Sequence, residues 1–373
     1  LDNLLEGRGL SGLWNLKGED RTAEPKTSVK PHLWKWAEVY DSLLRASEVI
    51  GIESGKSERR FIRLVNPGLN DRKLTAHTML FGFQLIQPGE VAPAHRHTMT
   101  AFRFVLQGKG AYTNVEGEKM IMEPGDLIRT PQWTWHEHVN EGSAAMIWAD
   151  GLDVPLIEAL QVVSVERRPE ERLRVKEGEI HPSLYGMLRP AGTSREILTA
   201  PLHYRWQETY AALQRLAEKI PDPYDGVALD YVDPLTGGPT FPTLLCRIQL
   251  FRPNEKTQSH RHRSTSIYHV FRGSGTTTIN GETIDWEQGD SFVVPLWSWH
   301  KHANRSAKDE AILFSLHDTS ANTKETNNAD QSRKQAGNRS WTGHSIGRGH
   351  AALLASSLPQ RRNSQAGLRA DTS

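Results

Sequence analysis

Cysteine is almost missing from this chain: Cys246 is the single thiol among 373 residues. One thiol builds neither an intrachain disulfide framework nor a thiolate metal cluster, and this fits a reducing compartment, so the cytoplasm is the expected location. Surplus charge is missing as well. A formal net charge of +1 gives no electrostatic ground for binding nucleic acid or an anionic membrane surface. No stretch reaches the roughly 20 apolar residues that a membrane-spanning helix needs, and the acidic start Leu1-Asp2-Asn3 is unlike a signal peptide. A complete Gly-x4-Gly-Lys-Ser/Thr phosphate loop is also lacking, since Gly55-Lys56-Ser57 has Ile50 where the first glycine is required, and this argues against a sugar-phosphate isomerase. What remains is a chain long enough for two domains and a sizeable core.

Its organisation follows the histidines. The run Gly89-Glu90-Val91-Ala92-Pro93-Ala94-His95-Arg96-His97 places His95 and His97 on one face of a strand with period 2. The segment Trp133-Thr134-Trp135-His136 returns a third imidazole, and three neutral nitrogens on one side make a facial metal site. Between them, Gly108-Lys109-Gly110, Glu116-Gly117-Glu118 and Pro124-Gly125-Asp126 punctuate short apolar runs, the pattern of an antiparallel barrel built from hairpins. The same series recurs downstream as His260-Arg261-His262, Gly273-Ser274-Gly275, Asn280-Gly281-Glu282, Gln288-Gly289-Asp290 and Trp297-Ser298-Trp299-His300. Gln84 and Gln249 precede their His-x-His pairs by the same interval, so the chain is a tandem of two barrels.

These runs resemble the two cupin motifs. The implied fold is mainly β, with tandem cupin barrels of the double-stranded β-helix or jelly-roll type and a few flanking helices. Where many cupins carry a glutamate ligand this chain has Ala101, so the expected sphere is His95, His97 and His136 without a carboxylate, leaving a divalent ion with open positions. That departure also argues against a manganese decarboxylase. The expected division is an N-terminal arm and helix over 1–58, a catalytic barrel over 59–155, a helical connector over 156–230, a second barrel over 231–318 and a disordered tail over 319–373. Helical spacing of apolar residues predicts one helix from Leu33 to Val49 and another from Tyr204 to Ile220.

Both barrels keep three histidines, so their surroundings must decide which is catalytic. The strand after the first pair carries Arg103, whose fork suits a substrate carboxylate; the aligned residue in the second copy is Tyr268. Whether His260, His262 and His300 hold a metal is left open by the sequence.

The stretch from Leu33 to His317 resembles the gentisate 1,2-dioxygenase family, which includes salicylate and 1-hydroxy-2-naphthoate 1,2-dioxygenases. The resemblance is carried by Asn66-Pro67-Gly68, Pro88-Gly89-Glu90, Ala92-Pro93-Ala94-His95-Arg96-His97-Thr98, Arg103-Phe104, Gly110-Ala111-Tyr112-Thr113, Trp133-Thr134-Trp135-His136, His138 and Asp150-Gly151-Leu152-Asp153-Val154-Pro155. It implies a non-haem Fe(II) bicupin, usually a homotetramer, that uses O2 to cleave a 2-hydroxybenzoate between its carboxyl-bearing and hydroxyl-bearing carbons. Gentisate is the expected substrate, with salicylate, a 5-substituted salicylate or 1-hydroxy-2-naphthoate as alternatives and a metal-binding bicupin without catalysis as the other class. By the same resemblance Arg103 pairs with the carboxylate, His138 hydrogen-bonds the hydroxyl or O2, and Gln84 fixes orientation. Arg59, or its neighbour Arg60, holds the far side of the ring; Asp150 orients His138 or a ring substituent. Gly82 resembles the salicylate-cleaving branch, its missing methyl opening room for the ring.

Overall fold

The computed structural model describes residues 1–15, 22–52, 59–168, 172–176, 202–219, 222–234, 236–318 and 324–326. Strands dominate, and among the described residues no helix is long and apolar enough to cross a membrane. The first barrel begins with β2 (Phe61–Arg63), β3 (Leu80–Ile86), β4 (Val91–His97), β5 (Ala101–Gln107) and β6 (Ala111–Val115), after the short β1 (His32–Trp34). It continues through β7 (Glu118–Ile121), β8 (Leu127–Thr130), β9 (His136–Asn140) and β10 (Met146–Leu152), with β11 (Val165–Arg168) and β12 (His203–Tyr204) added at edges. One sheet has the order β12-β8-β5-β10-β3-β2 and the facing one β11-β4-β9-β6-β7.

The second barrel repeats this arrangement with β13 (Val227–Tyr231), β14 (Leu245–Phe251), β15 (His260–His262), β16 (Ser266–Arg272), β17 (Ser274–Ile279) and β18 (Glu282–Glu287). Then come β19 (Ser291–Val294), β20 (His300–Asn304), β21 (Ala311–His317) and β22 (Lys324–Thr326). Its sheets run β1-β19-β16-β21-β14-β13 and β18-β17-β20-β15-β22. The hairpins β6–β7 and β17–β18 turn at Glu116-Gly117 and Asn280-Gly281, where both residues have positive φ, the backbone that tight hairpins require.

The barrels pack through the outer faces of their six-stranded sheets. Phe104 stacks on Phe314 with ring centroids 4.2 Å apart, and Phe81, Phe83 and Phe102 extend the seam. Alternation therefore sends the polar residues of the same strands inward: Arg103 lies between Phe102 and Phe104, and Gln84 follows Phe83. The strands are buried on both faces, which is why their apolar periodicity looks weak in sequence.

Each barrel is closed by the arm that precedes the other. β1 pairs with β19 of the second barrel, and β12 pairs with β8 of the first. The helix after β1 begins at Trp36 rather than Leu33 and runs to Val49; the one after β12 spans Trp206–Ala217. Leu33 and Trp34, read from sequence as the start of the helix, lie in a strand because an edge of the other barrel awaits them. Each helix start is held by a buried aspartate of the opposite barrel. Asp290 accepts from the Trp36 backbone N–H at 2.9 Å and from Lys35 Nζ at 2.7 Å, while Asp126 accepts from the Trp206 N–H at 2.8 Å and pairs with His203 Nε2 at 2.7 Å. Both aspartates follow a glycine of positive φ, and a Cβ on Gly289 or Gly125 would stand within 2.4 or 2.5 Å of the incoming Trp36 or Trp206 indole.

The region expected as a helical connector thus also supplies edge strands β11, β12 and β13, although 169–171 and 177–201 lie outside the described residues. The expected disordered tail contributes β22, which pairs with the histidine strand β15; the remainder from 327 onward lies outside the described residues. Asp290→Ala should destabilise the protein by about 1–3 kcal/mol, because a buried N–H and an ammonium lose a charged acceptor, and Asp290→Asn by less. Denaturant unfolding of both variants measures this.

Candidate active site

His95 and His97 stand on β4, and His136 opens β9 directly opposite His95 in the ladder. The ring centroids are 4.1 Å apart for His95 and His136, 5.0 Å for His97 and His136, and 5.3 Å for His95 and His97, and one ring nitrogen from each lies within 4.8 Å of the others. Each Nδ1 faces a backbone carbonyl two residues away: Pro93 O at 3.3 Å, Met99 O at 2.8 Å and Thr134 O at 3.0 Å. For His97 and His136, donating there places the proton on Nδ1 and leaves Nε2 as the lone pair, while His95 Nδ1 also meets Arg59 Nη2. Burial, reinforced by the nearby positive charges, lowers the pKa of all three rings, that of His97 to about 4. They are therefore neutral near pH 7, as metal ligands must be. The donor set fits a divalent ion, and the buried Nε2 of His136 has no hydrogen-bond partner among the described residues.

The opposite interior wall is polar. In register across β3, β10 and β5, Gln84 faces Trp148, and Asp150 faces both Gly82 and Arg103, so all five residues share one inward face. Arg103 Nε lies 3.3 Å from Asp150 Oδ1 out of hydrogen-bond alignment, and its Nη1 donates to Thr130. Gln84 Nε2, Arg103 Nε, Asp150 Oδ1 and His138 Nε2 are all buried without a hydrogen-bond partner among the described residues. That many orphaned groups in one wall is costly unless a polar ligand meets them.

His138 is set by Thr113, not by Asp150. The Thr113 hydroxyl donates to Met122 Sδ and receives His138 Nδ1 at 2.8 Å, which leaves Nε2 a bare acceptor aimed into the barrel. The role expected for Asp150 at His138 is thus taken by Thr113, and Asp150 instead balances Arg103. Arg59 and Arg60 separate cleanly. Arg59 Nη2 contacts His95 Nδ1, lies 3.3 Å from Nε2 and donates to Pro93 O at 3.0 Å, whereas Arg60 is tied to Glu90 by two bonds of 2.7 and 2.9 Å away from the triad. Gly82 does not open room for a ring. A Cβ there would stand 2.1 Å from the Ile62 carbonyl oxygen and 2.8 Å from the Phe61 ring, so the space is filled by β2. Trp133 and Trp135 sandwich Arg96 outside the barrel, with its guanidinium 4.6 and 4.7 Å from their ring centroids.

Sequence reasoning assigned no role to Thr113, Trp148 or Phe61. The first was detectable, because the second copy pairs Thr277 with His302 at the same 2.8 Å. In that copy the wall is changed: Tyr268 stacks on Phe292 with centroids 4.8 Å apart, Ser315 stands opposite Tyr268 where Asp150 stands opposite Arg103, Gln249 keeps the place of Gln84, and Arg247 takes that of Gly82.

The cupin domain family profile matches residues 82–155 and 247–317, so the fold and the two triads define a cupin with two domains. The chain is 41% identical over 310 residues to a 5-aminosalicylate 1,2-dioxygenase of Comamonas sp, covering 82% of each chain, and 35% identical over 324 residues to gentisate 1,2 dioxygenase 1 of Aquipseudomonas alcaligenes, covering 86% of this chain and 92% of that one. The crystal structure of salicylate 1,2-dioxygenase from Pseudoaminobacter salicylatoxidans in adducts with gentisate superposes with a TM-score of 0.73 at 32% identity, covering 85% of this chain and 88% of that one. The chain belongs to the gentisate 1,2-dioxygenase family, and it is a dioxygenase.

Burial pushes the Asp150 carboxyl up to about 6 against the opposing pull of Arg103. The folded state then holds this proton more tightly than the unfolded chain, so the contribution to stability is full below the unfolded value near ~4 and is lost as pH rises through about 6. Urea unfolding between pH 4 and 7 should show this loss, on the order of 2–3 kcal/mol, and Asp150→Asn should abolish that part of the pH dependence.

Proposed function

We propose that this dioxygenase opens the ring of 2-hydroxybenzoates between the carboxyl-bearing and hydroxyl-bearing carbons, with Fe(II) on His95, His97 and His136. The observation that carries the proposal is the wall of buried, unsatisfied polar atoms facing the triad, whose chemistry matches a planar hydroxy acid. The substrates named for the two relatives, 5-aminosalicylate and gentisate, share an electron-donating group para to the ring hydroxyl. That class, with gentisate first, is the proposed preference, and unsubstituted salicylate is the poorer substrate.

When bound, the ion supplies Lewis acidity and redox chemistry at positions that no protein carboxylate fills. The remaining work falls to the chain. Arg103 binds the substrate carboxylate by charge-assisted hydrogen bonds, and Asp150 offsets its charge while the site awaits substrate. Arg59, already against His95, is the second cation within reach. The His138 Nε2 lone pair accepts the ring hydroxyl proton, with Thr113 keeping the other nitrogen protonated. Gln84 Nε2 donates to a substrate oxygen from the adjacent strand and so fixes the ring in its plane. The aromatic seam behind the wall keeps water from the inner faces of β3, β5 and β10.

A cytoplasmic homotetramer belongs to the same proposal. The exposed apolar residues Leu160, Val162, Val163 and Val165 form a surface that assembly would cover, and the one thiol, Cys246, is buried.

Anaerobic loading with Fe(II), followed by oxygen uptake, should show one O2 consumed per ring opened, faster with gentisate and 5-aminosalicylate than with salicylate or 1-hydroxy-2-naphthoate. Absence of uptake with all four overturns the reading. Arg103→Ala should raise KM and lower kcat so that kcat/KM falls by about 100-fold or more; unchanged steady-state kinetics would remove Arg103 from the site.

A further inference from the structure

The two triads differ most in the charge that approaches them. The segment entering β2 in the first barrel brings the Arg59 guanidinium onto His95. In the second barrel the segment entering β13 occupies the corresponding place: Phe61 is opposite Gln84 as Ala228 is opposite Gln249. It delivers a carboxylate instead, with Asp225 Oδ1 3.3 Å from His260 Nε2.

The rest of this second centre is built with equal care. His260 and His300 face each other across β15 and β20, and the three ring centroids of His260, His262 and His300 are 4.3, 4.6 and 5.3 Å apart. Nδ1 of His260 faces Gln258 O at 3.3 Å and Nδ1 of His300 faces Ser298 O at 3.0 Å, so their Nε2 atoms turn inward. The wholly buried His300 Nε2 has no hydrogen-bond partner among the described residues. Asp225 is held in place from three sides. Asp222 Oδ1 accepts from its backbone N–H at 3.0 Å, its carbonyl accepts from Gln249 Nε2 at 3.1 Å, and Arg247 Nη1 lies 3.5 Å from Oδ2.

We propose that the second barrel holds its own divalent cation on His260, His262 and His300, with Asp225 beside His260 as the counter-charge, and that this ion is structural. One ring nitrogen from each of the three imidazoles lies within 4.8 Å of the others, and the Asp225 carboxylate stands next to that set. A positive ion is favoured where Asp225 replaces Arg59, since the carboxylate supplies the counter-charge that the first barrel lacks. On the inner side Tyr268 stands where the first barrel has Arg103 and belongs with Phe292 and Trp286 to one buried apolar cluster, so the carboxylate-binding arginine fork is missing there. The ion would join the loop carrying Asp225 to the strand β15 on which β22 pairs.

The test is metal content, with Zn(II) as the probe. After removal of all metal, wild-type protein titrated with Zn(II) against a chromophoric chelator should take up two ions per chain, and the double variant His95→Ala, His97→Ala should still take up one. Asp225→Asn in that background should weaken the remaining ion by about tenfold or more, and Zn(II) should raise the unfolding temperature of the double variant. One ion per chain in the wild type and none in the double variant overturns the proposal. Should the double variant fail to fold, Asp225→Asn in the wild-type chain decides: one of two binding steps weakened supports the site, and a single step unchanged by the substitution overturns it. Dioxygenase activity enters none of these readouts, so loss of the functional reading would leave the second site untouched.

Discussion

Everything in the first barrel depends on three backbone carbonyls. Pro93, Met99 and Thr134 each face the Nδ1 of a histidine two residues away, which orients the ring and, at His97 and His136, fixes the tautomer with Nε2 inward. Because these latches are local, the ligands are preorganised by strand geometry and need no carboxylate to orient them. Burial then holds the rings neutral, and a cation is the group that best satisfies the lone pairs left facing one another.

Upon that common frame the two barrels set opposite walls. The first surrounds its triad with Arg59 and Arg103, an anion-receiving field, and leaves Gln84, Asp150 and His138 with atoms unsatisfied. The second fills the same volume with stacked aromatic rings and brings Asp225 to the histidines. A hydroxy acid finds an arginine fork in the first, whereas the arginine on the aligned face of the second, Arg247, is already paired with Asp225 and Asp230. Duplication thus preserved the ligand frame while the inward residues of three strands, Arg103, Asp150 and Gly82 against Tyr268, Ser315 and Arg247, separated the two roles.

Legibility in the sequence followed the range of the interactions. The histidine pairs, the Gly-centred turns and the duplication are local patterns, and they led to two antiparallel barrels and to both triads. Asp150 is a different case: its ladder partner Arg103 comes from another strand, and only the register between β5 and β10 shows that the two share a face. Thr113 was hidden by the same distance, although its repeat in Thr277 offered a route to it. Gly82 was misread because a missing side chain suggests space, and the backbone of β2 occupies that space. Leu33 and Trp34 were read as helix because a three-residue strand carries too little periodicity to declare itself, and the edge that recruits it lies more than two hundred residues away.

The exchange of arms has a further meaning. If each barrel were cut out with only its own preceding segment, it would expose the flank of β8 or β19 and carry a β1 or β12 with nothing to lie along. Two separate single-barrel chains would meet that requirement by trading arms, so the bicupin has the geometry of a swapped dimer within one chain. Neither half is complete alone, and the second barrel serves the first through the arm that finishes the edge at β8.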